Sequence, residues 1–128
     1  MQVASGETNM ESNQLKNFGA YQKARQLFDW VADDMELLAR NPLCVRLASQ
    51  QMASAHSICA NIEEGYGRES SREYRQFLVI SRGSARETQG RYERFGRGLS
   101  AEGVAAKVAL CEEIVRILTA TINRLGSK

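Results

Sequence analysis

The sequence predicts an all-α protein, an antiparallel four-helix bundle with up-down-up-down topology. A single proline in 128 residues favours long, uninterrupted helices. Apolar residues recur at helical spacing through most of the chain, and no alternating strand pattern competes with them. Short stretches that contain glycine or a capping residue separate the helical segments, and short connections favour antiparallel neighbours.

Size and composition allow one domain with a hydrophobic core. Of the residues, 43% are hydrophobic and 25% are charged, which is ordinary for a globular protein. Residues 1–14 are polar and aperiodic, so we expect a disordered tail before a helical domain over residues 15–126. No apolar run approaches the roughly 18 residues of a membrane span, and the N-terminus lacks the features of a signal peptide. We therefore expect a cytoplasmic protein with no membrane contact.

The first two helices are predicted over about 15–40 and 42–65. Asn41 and Pro42 suit an N-cap followed by the first helical position. Gly65 and Gly67 are expected to supply the positive φ at which many helices end. The inward residues of the first helix are expected to be Tyr21, Ala24, Leu27, Phe28, Val31, Met35 and Leu38. Those of the second are expected to be Leu43, Leu47, Met52, Ala55, Ile58, Cys59 and Ile62.

The last two helices are predicted over about 70–96 and 100–125. Ser70 and Glu73 have the spacing of a capping box, and Ser100 suits the N-cap of the fourth helix. The inward residues of the third helix are expected to be Tyr74, Phe77, Ser81, Ser84, Thr88, Tyr92 and Phe95. The fourth helix has a heptad pattern, typical of near-parallel packing, at Val104, Val108, Cys111, Val115, Leu118, Ile122 and Leu125.

Residues that could support catalysis are few. His56 is the single histidine and lacks the Glu-x-x-His pattern of a di-iron bundle, so a structural role is favoured. Glu63 and Glu64 are adjacent and point about 100° apart, which makes them a poor acid–base pair. The cysteines Cys44, Cys59 and Cys111 lack the spacing of a metal site and are interpreted as small buried hydrophobes. We expect no enzymatic activity, no metal and no cofactor.

Positive charge is concentrated in one segment. Residues 68–97 hold eight arginines and four glutamates, whereas residues 1–67 have a net charge of −3 and residues 98–128 of +1. On a helical projection six arginines fall within an arc of about 80°. We call this set the arginine stripe: Arg68, Arg72, Arg75, Arg82, Arg86 and Arg97.

The arginine stripe predicts nucleic-acid binding. A planar guanidinium suits bidentate phosphate contacts, and a row of them can bind the backbone of RNA or DNA without selecting its sequence. Two alternatives remain open: pairing with acids of another subunit, for which Asp29, Asp33 and Asp34 are candidates, or a solvated surface without a partner. Gly83 and Gly90 lie beside the stripe, and each costs about 1 kcal/mol relative to alanine in a helix. We interpret them as positions where another backbone approaches, either a partner helix, which would make them oligomer contacts, or a phosphate chain.

Residues 57–87, SICANIEEGYGRESSREYRQFLVISRGSARE, resemble the signature of four-helix-bundle proteins encoded within intervening sequences of bacterial 23S ribosomal RNA genes. Weaker similarity extends through the YQKARQLF segment of the first helix. The chain departs from the family pattern at Glu63 and Ser81, where alanine is usual, and at Met52 and Ala53, where arginines are frequent. The matching residues are Ser57, Ile58, Asn61, Ile62, Glu64, Gly65, Gly67, Arg68, Ser70, Glu73, Phe77, Leu78, Ile80, Arg82, Gly83, Ser84 and Glu87.

The resemblance implies a barrel-like homo-oligomer, a pentamer, and a similarity to the accessory variability proteins of diversity-generating retroelements. For those, the implied role is a basic oligomer that binds RNA or DNA and a reverse transcriptase. Asn61, Glu64, Arg82 and Ser84 of the signature are interpreted as a buried hydrogen-bonded network, with ligand contacts as the alternative. The function expected is a non-enzymatic nucleic-acid scaffold. The alternative is a protein-only interaction module whose arginine stripe forms subunit contacts.

Overall fold

A computed structural model of the chain describes residues 14–94 and 98–127, and these are helices and connections without a strand. The all-α prediction is therefore confirmed for this part of the chain. A helical turn at 14–17 precedes the first long helix, and a 3-10 helix, Pro42–Cys44, precedes the second. The long helices are α1 (Gly19–Leu38), α2 (Val45–Tyr66), α3 (Ser71–Arg94) and α4 (Ala101–Gly126).

Two predicted segments fall partly outside the described residues. Of the tail predicted over 1–14, residues 1–13 lie outside, and Gln14 belongs to the helical turn, where its Oε1 accepts a hydrogen bond of 2.8 Å from the Tyr66 hydroxyl. The third helix is predicted to reach residue 96. Its described part ends at Arg94, and residues 95–97, which include Phe95 and Arg97, lie outside.

The long helices contact one another in a closed ring, α1 to α2 to α3 to α4 and back to α1. Side-chain contacts join α2 and α3 along their length. Gln51 of α2 meets Thr88 of α3, and further along the same pair Ile58 meets Ser81. In this order of contacts, α1 and α3 lie opposite each other in the ring. None of the helices in the described ranges combines the length and apolar character needed to cross a membrane.

Three helix starts follow the predicted capping chemistry. The Asn41 Oδ1 accepts a hydrogen bond from the Leu43 amide at 3.0 Å, and Pro42 opens the 3-10 helix as predicted. Ser70 Oγ accepts from the Glu73 amide at 3.1 Å, and Ser100 Oγ accepts from the Gly103 amide at 3.0 Å. Each cap satisfies an amide that has no partner within its own helix.

The glycines at the end of α2 do not act as predicted. The expectation of positive φ at Gly65 and Gly67 is wrong, because among the described residues the left-handed conformation occurs at Gly98, with φ of +81°. Gly67 ends α2 with φ of −82°. Gly65 is needed for space instead: a Cβ there would lie 2.8 Å from the Cβ of Phe77 and 3.0 Å from the ring of Tyr74. It allows α2 and α3 to approach closely.

The inward face of α2 also differs from the prediction. Leu43 and Leu47 were expected inside, but they are 88% and 38% exposed. Leu43 lies in the 3-10 helix before α2, and Leu47 lies in the first turn of α2, before the bonds to α3 begin at Gln51. The buried residues of α2 are Ala48, Gln51, Ser54, Ala55, Ile58, Ile62 and Gly65.

Helices α1 and α3 bury most of the residues predicted, and α4 buries Cys111, Leu118 and Ile122 of its predicted set. In α1 the set is correct except that Phe28 is half-buried. In α3 the predicted Ser81, Ser84, Thr88 and Tyr92 are buried, joined by Leu78 and Ala85. In α4 the buried residues are Leu110, Cys111, Ile114, Leu118, Thr121 and Ile122, and the remaining heptad residues are half-buried.

A polar cluster ties α1, α3 and α4 together inside the bundle. The hydroxyl of Tyr92, which is 1% exposed, donates to Asp34 Oδ2 at 2.7 Å. The ammonium of Lys107 lies 3.1 Å from the same oxygen and 5.7 Å from the centre of the Trp30 ring. Burial, together with the Asp34 carboxylate, raises the pKa of Tyr92 above its ordinary value.

Gly65→Ala should lower the free energy of unfolding by about 1–3 kcal/mol, because the added methyl overlaps the Cβ of Phe77 and forces α2 and α3 apart. Gly67→Ala is the matched control: the nearest atom to its Cβ is 3.8 Å away and its φ suits alanine. Urea denaturation of both variants tests this. Equal stability of the two variants would contradict the close approach assigned to Gly65.

Tyr92→Phe should lower the free energy of unfolding by about 1–2 kcal/mol at neutral pH, because Asp34 loses a buried donor. The raised pKa of Tyr92 in the folded state also predicts a pH dependence. The contribution is full below the unfolded tyrosine pKa of about 10 and is lost as pH rises above it. Denaturation at pH 7 and pH 10.5 should show a smaller alkaline loss in the variant, and an identical loss would contradict the assignment.

Candidate nucleic-acid interface

The arginine stripe lies along one helix. Arg72, Arg75, Arg82 and Arg86 belong to α3, Arg68 lies in the connection before it, and Arg97 is outside the described residues. From Arg72 to Arg86 the stripe extends over 14 residues, or about 21 Å of helix at 1.5 Å per residue. The stripe is thus a linear array of positive charge along α3.

Arg72 and Arg86 form the free part of the stripe. Both side chains are exposed to solvent. Neither makes a hydrogen bond or an ion pair with any residue in 14–94 or 98–127. Among the described residues, nothing cancels the charge of either guanidinium group.

Arg75 and Arg82 are half-buried and turn towards α4. Arg75 donates through Nε to the carbonyl of Ile122 at 3.2 Å, and Arg82 donates through Nη1 to Thr119 Oγ1 at 3.1 Å. Both acceptors are uncharged, so these bonds fix the side chains without cancelling their positive charge.

Arg68 differs from the other stripe residues because it is paired with an acid. Its Nη2 lies 2.5 Å from Glu64 Oε2, and its guanidinium lies 4.9 Å from the centre of the Phe77 ring. Within the described residues it is the stripe arginine that forms an ion pair with a carboxylate. Its charge is partly cancelled where α2 meets α3.

The four signature residues predicted to form a network are placed in different surroundings. Asn61 and Ser84 are brought together through Ser57: Asn61 Nδ2 donates to Ser57 Oγ at 2.9 Å, and Ser84 Oγ donates to the same atom at 2.8 Å. Glu64 is exposed and pairs with Arg68, and Arg82 bonds to α4. The structure therefore does not bring these four residues into a single network.

A longer row of hydrogen bonds joins α2 to α3. Gln51 Nε2 donates to the carbonyl of Thr88 at 2.8 Å, Ser54 Oγ lies 2.8 Å from Thr88 Oγ1, and Ser81 Oγ donates to the carbonyl of Ile58 at 2.8 Å. No buried side-chain nitrogen or oxygen in the described part of the chain lacks a partner. We call this row the polar seam, formed by Gln51, Ser54, Ser57, Ser81, Ser84 and Thr88.

Sequence reasoning missed Gln51, Ser54 and Arg91 of this region. Arg91 donates to Ser54 Oγ at 2.9 Å and to Gln51 Oε1 at 3.3 Å. A usable signal exists, because Gln51, Ser54 and Ile58 recur at helical spacing of three and four residues. Polar residues that continue an apolar stripe at this spacing indicate buried side chains with partners.

The two glycines predicted as oligomer contacts differ in their surroundings. Gly83 is exposed, and a Cβ built on it meets no atom within 4 Å. At Gly90 the same test meets the guanidinium of Arg94 at 3.1 Å. Val79 and Ile80, beside Gly83, are 37% and 51% exposed. An open surface at Gly83 is therefore bordered by apolar side chains.

Residues with possible catalytic chemistry meet at one cavity of about 230 Å³, which is lined by Arg25, Phe28, Asp29, His56, Cys59 and Glu63. His56 is exposed and stacks edge-on against Phe28 at 6.2 Å between ring centres. Burial raises the pKa of the Cys59 thiol to about 11 and that of Cys111 to about 12, which leaves both thiols protonated at neutral pH. No group of three or more metal-ligating side chains is found in residues 14–94 and 98–127.

The chain is similar in fold to a solved structure. This is the crystal structure of a protein of unknown function from the S23 ribosomal protein family of Bacteroides thetaiotaomicron, with a TM-score of 0.75 and 21% sequence identity. The similarity covers 80% of this chain and 97% of that chain. At this identity it supports the fold alone.

No curated protein matches the chain. The family model described as the 23S rRNA-intervening sequence protein matches residues 16–120, which includes all of α1, α2 and α3 and most of α4. The chain therefore belongs to the 23S rRNA-intervening sequence protein family.

Proposed function

We propose that this protein is a non-enzymatic homo-oligomeric scaffold that binds structured RNA or duplex DNA through the arginine stripe. The observation that carries the proposal is uncompensated positive charge on α3. Arg72 and Arg86 are exposed, Arg75 and Arg82 bond to neutral acceptors, and none of the four forms an ion pair with a described acid. The proposal includes a cytoplasmic location, which suits binding to RNA or DNA.

The geometry of the arginine stripe suits a phosphate backbone. Arg75 and Arg82 are held by bonds through one nitrogen each, so the remaining N–H groups of the guanidinium can still donate. Arginine forks form short, charge-assisted bonds with phosphate oxygens. Contacts of this kind position a nucleic acid without selecting its sequence, so we expect binding to depend on charge and shape.

Assembly into a barrel-like homopentamer of antiparallel, up-down-up-down bundles completes the proposal. Support for the topology comes from contacts that pair rising residue numbers on α2 with falling numbers on α3, such as Gln51 with Thr88 and Ile58 with Ser81. Support for assembly comes from the open space at Gly83 and the exposed Val79 and Ile80 beside it. Several subunits would multiply the number of phosphate contacts.

Two biological settings are compatible with this scaffold. Membership of the 23S rRNA-intervening sequence protein family favours a role connected with those intervening sequences. The resemblance to accessory variability proteins of diversity-generating retroelements suggests a reverse transcriptase as a partner. The proposed chemistry, a basic surface that binds a folded RNA or a duplex, is the same in both settings.

One observation supports the protein-only interaction module as a second candidate function. An apolar cavity of about 490 Å³ lies between α1 and α2, and Asp33 and Glu36, both exposed, line it together with Met35, Val45 and Met52. An arginine from another subunit could pair with these two acids, and a valine could pack against the apolar lining. In that case the stripe would hold subunits together. Of the acids predicted for this role, Asp34 is already bound to Tyr92 and Lys107.

The double variant Arg72→Gln with Arg86→Gln should weaken binding to a 20-bp DNA duplex and to an unrelated RNA hairpin by a similar factor, at least about tenfold. If five subunits each offer two free arginines, about ten phosphates are contacted, and the slope of log K against log salt is about −9 for a duplex. The variant should flatten this slope. Mobility-shift titrations between 50 and 200 mM salt measure both quantities.

The matched control is Lys16→Gln with Arg25→Gln, which removes two charges from the exposed side of α1 and its preceding turn, across the ring from α3. The control should bind as the wild type does. Size-exclusion chromatography of the same samples separates the two candidates, because the protein-only alternative predicts negligible nucleic-acid binding and an assembly that dissociates in the Arg72, Arg86 variant. An intact variant that binds both probes as well as wild type contradicts the nucleic-acid proposal.

Light scattering at micromolar concentration should show a discrete oligomer, with five subunits the expected number. Gly83→Leu should weaken the assembly while leaving the subunit folded, because the leucine fills an open surface and meets no atom of its own chain within 4 Å at Cβ. Helical circular dichroism checks the fold. A folded wild-type monomer, or a Gly83→Leu variant that assembles normally, would argue against the interface at Gly83.

A further inference from the structure

The cavity of about 490 Å³ between α1 and α2 is elongated along the two helices. Its lining extends from Ala32 to Ala39 on α1 and from Val45 to Met52 on α2. Seven residues of helix correspond to roughly 10.5 Å, so each side of the cavity is about two helical turns long. We call this cavity the α1–α2 trough, and its length is that of a short helical segment.

The uncharged side chains that line the α1–α2 trough are small or adaptable. Met35 is 3% exposed and Met52 is half-buried, and the flexible thioether of methionine packs against partners of different shape. Apart from Val45, the rest of this lining consists of three alanines and a serine. A lining of this kind suits recognition of an amphipathic helix, which places apolar side chains at positions i, i+4 and i+7 in a groove.

Two acids on α1 give the α1–α2 trough its negative charge. Asp33 and Glu36 line it, and both are exposed. Neither forms a hydrogen bond or an ion pair with a residue in the described part of the chain. Lys107, which lines a neighbouring cavity together with Asp33, is paired with Asp34 at 3.1 Å. No described residue therefore neutralises Asp33 or Glu36 by direct contact.

Positive charge near the α1–α2 trough lies outside its lining. Arg40 is in the connection after α1, four residues beyond Glu36, and Arg25 is seven residues before Ala32. Arg46 lies about 110° round α2 from the middle of the lining residues on that helix, on the side nearer α3. None of these three arginines lines the cavity. The middle of the trough thus combines apolar surface with two carboxylates.

We propose that the α1–α2 trough binds a basic amphipathic helix of another protein. Apolar side chains of that helix pack on Met35 and Met52, and lysines or arginines beside them pair with Asp33 and Glu36. A neutral or acidic helix would cover the two carboxylates without supplying a partner, which costs binding free energy. In the proposed function the arginines of α3 bind phosphates, so they are not the cations assigned to this trough.

A labelled helical peptide tests the proposal. Leucines at i, i+4 and i+7 with lysines beside them make the basic peptide, and glutamates in place of the lysines make its matched control. In fluorescence anisotropy the full chain should bind the basic peptide at least about tenfold more tightly than the acidic one. Asp33→Lys with Glu36→Lys should reverse this preference. Glu102→Lys with Glu112→Lys, which changes two exposed acids of α4, should keep it.

Ser49→Trp places an indole in the trough from an exposed position of α2 and should abolish binding of the basic peptide, whereas Ala105→Trp on α4 should not. Circular dichroism checks the fold, and if Ser49→Trp unfolds, the charge-reversed pair decides. No binding of the basic peptide, equal binding of both peptides, or an unchanged preference after charge reversal overturns the proposal. An oligomer that dissociates in these variants also overturns it, because a second copy then fills the trough. Nucleic-acid binding is judged separately with the arginine-stripe variant.

Discussion

The polar seam between α2 and α3 sets the register on which the rest of the bundle depends. Gln51 and Ser54 both bond to Thr88, and one turn further along Ser57 bonds to Ser84. A buried polar group without a partner costs about 1–3 kcal/mol, so sliding α3 along α2 by one turn would break several bonds together. Small side chains at these positions, and Gly65 at the end of the row, keep the two helices close enough to bond.

The rotation of both helices follows from this register. With Ser81, Ser84 and Thr88 turned towards α2, the arginines of α3 are left on the outer side and on the side that meets α4. On α2 the bonds to α3 begin at Gln51, whereas Leu43 in the preceding 3-10 helix and Leu47 in the first turn of α2 face solvent.

Helical periodicity and capping chemistry sufficed to predict the four helices, the caps at Asn41, Ser70 and Ser100, and nearly all of the α1 core. A periodicity analysis counts apolar residues, so it predicted that Leu43 is buried and did not predict the burial of Gln51. The buried Gln51 side chain bonds to the carbonyl of Thr88, which is 37 positions away in the sequence. The same limit applies to the stripe. A projection can show that arginines share a side of a helix, but whether Arg75 meets solvent or the carbonyl of Ile122 depends on where α4 packs.

Arg75 and Arg82 bond to uncharged acceptors on α4, so each can link α3 to α4 and still contribute positive charge to the surface. A carboxylate partner would hold either side chain more strongly, but it would also cancel the positive charge, as Glu64 partly does for Arg68. A carbonyl and a hydroxyl hold the guanidinium groups in place and leave the charge intact. Side chains already held in place lose less conformational entropy when a ligand binds. Under the proposed function, the anchored pair between Arg72 and Arg86 would offer a phosphate backbone a surface that is both charged and ordered.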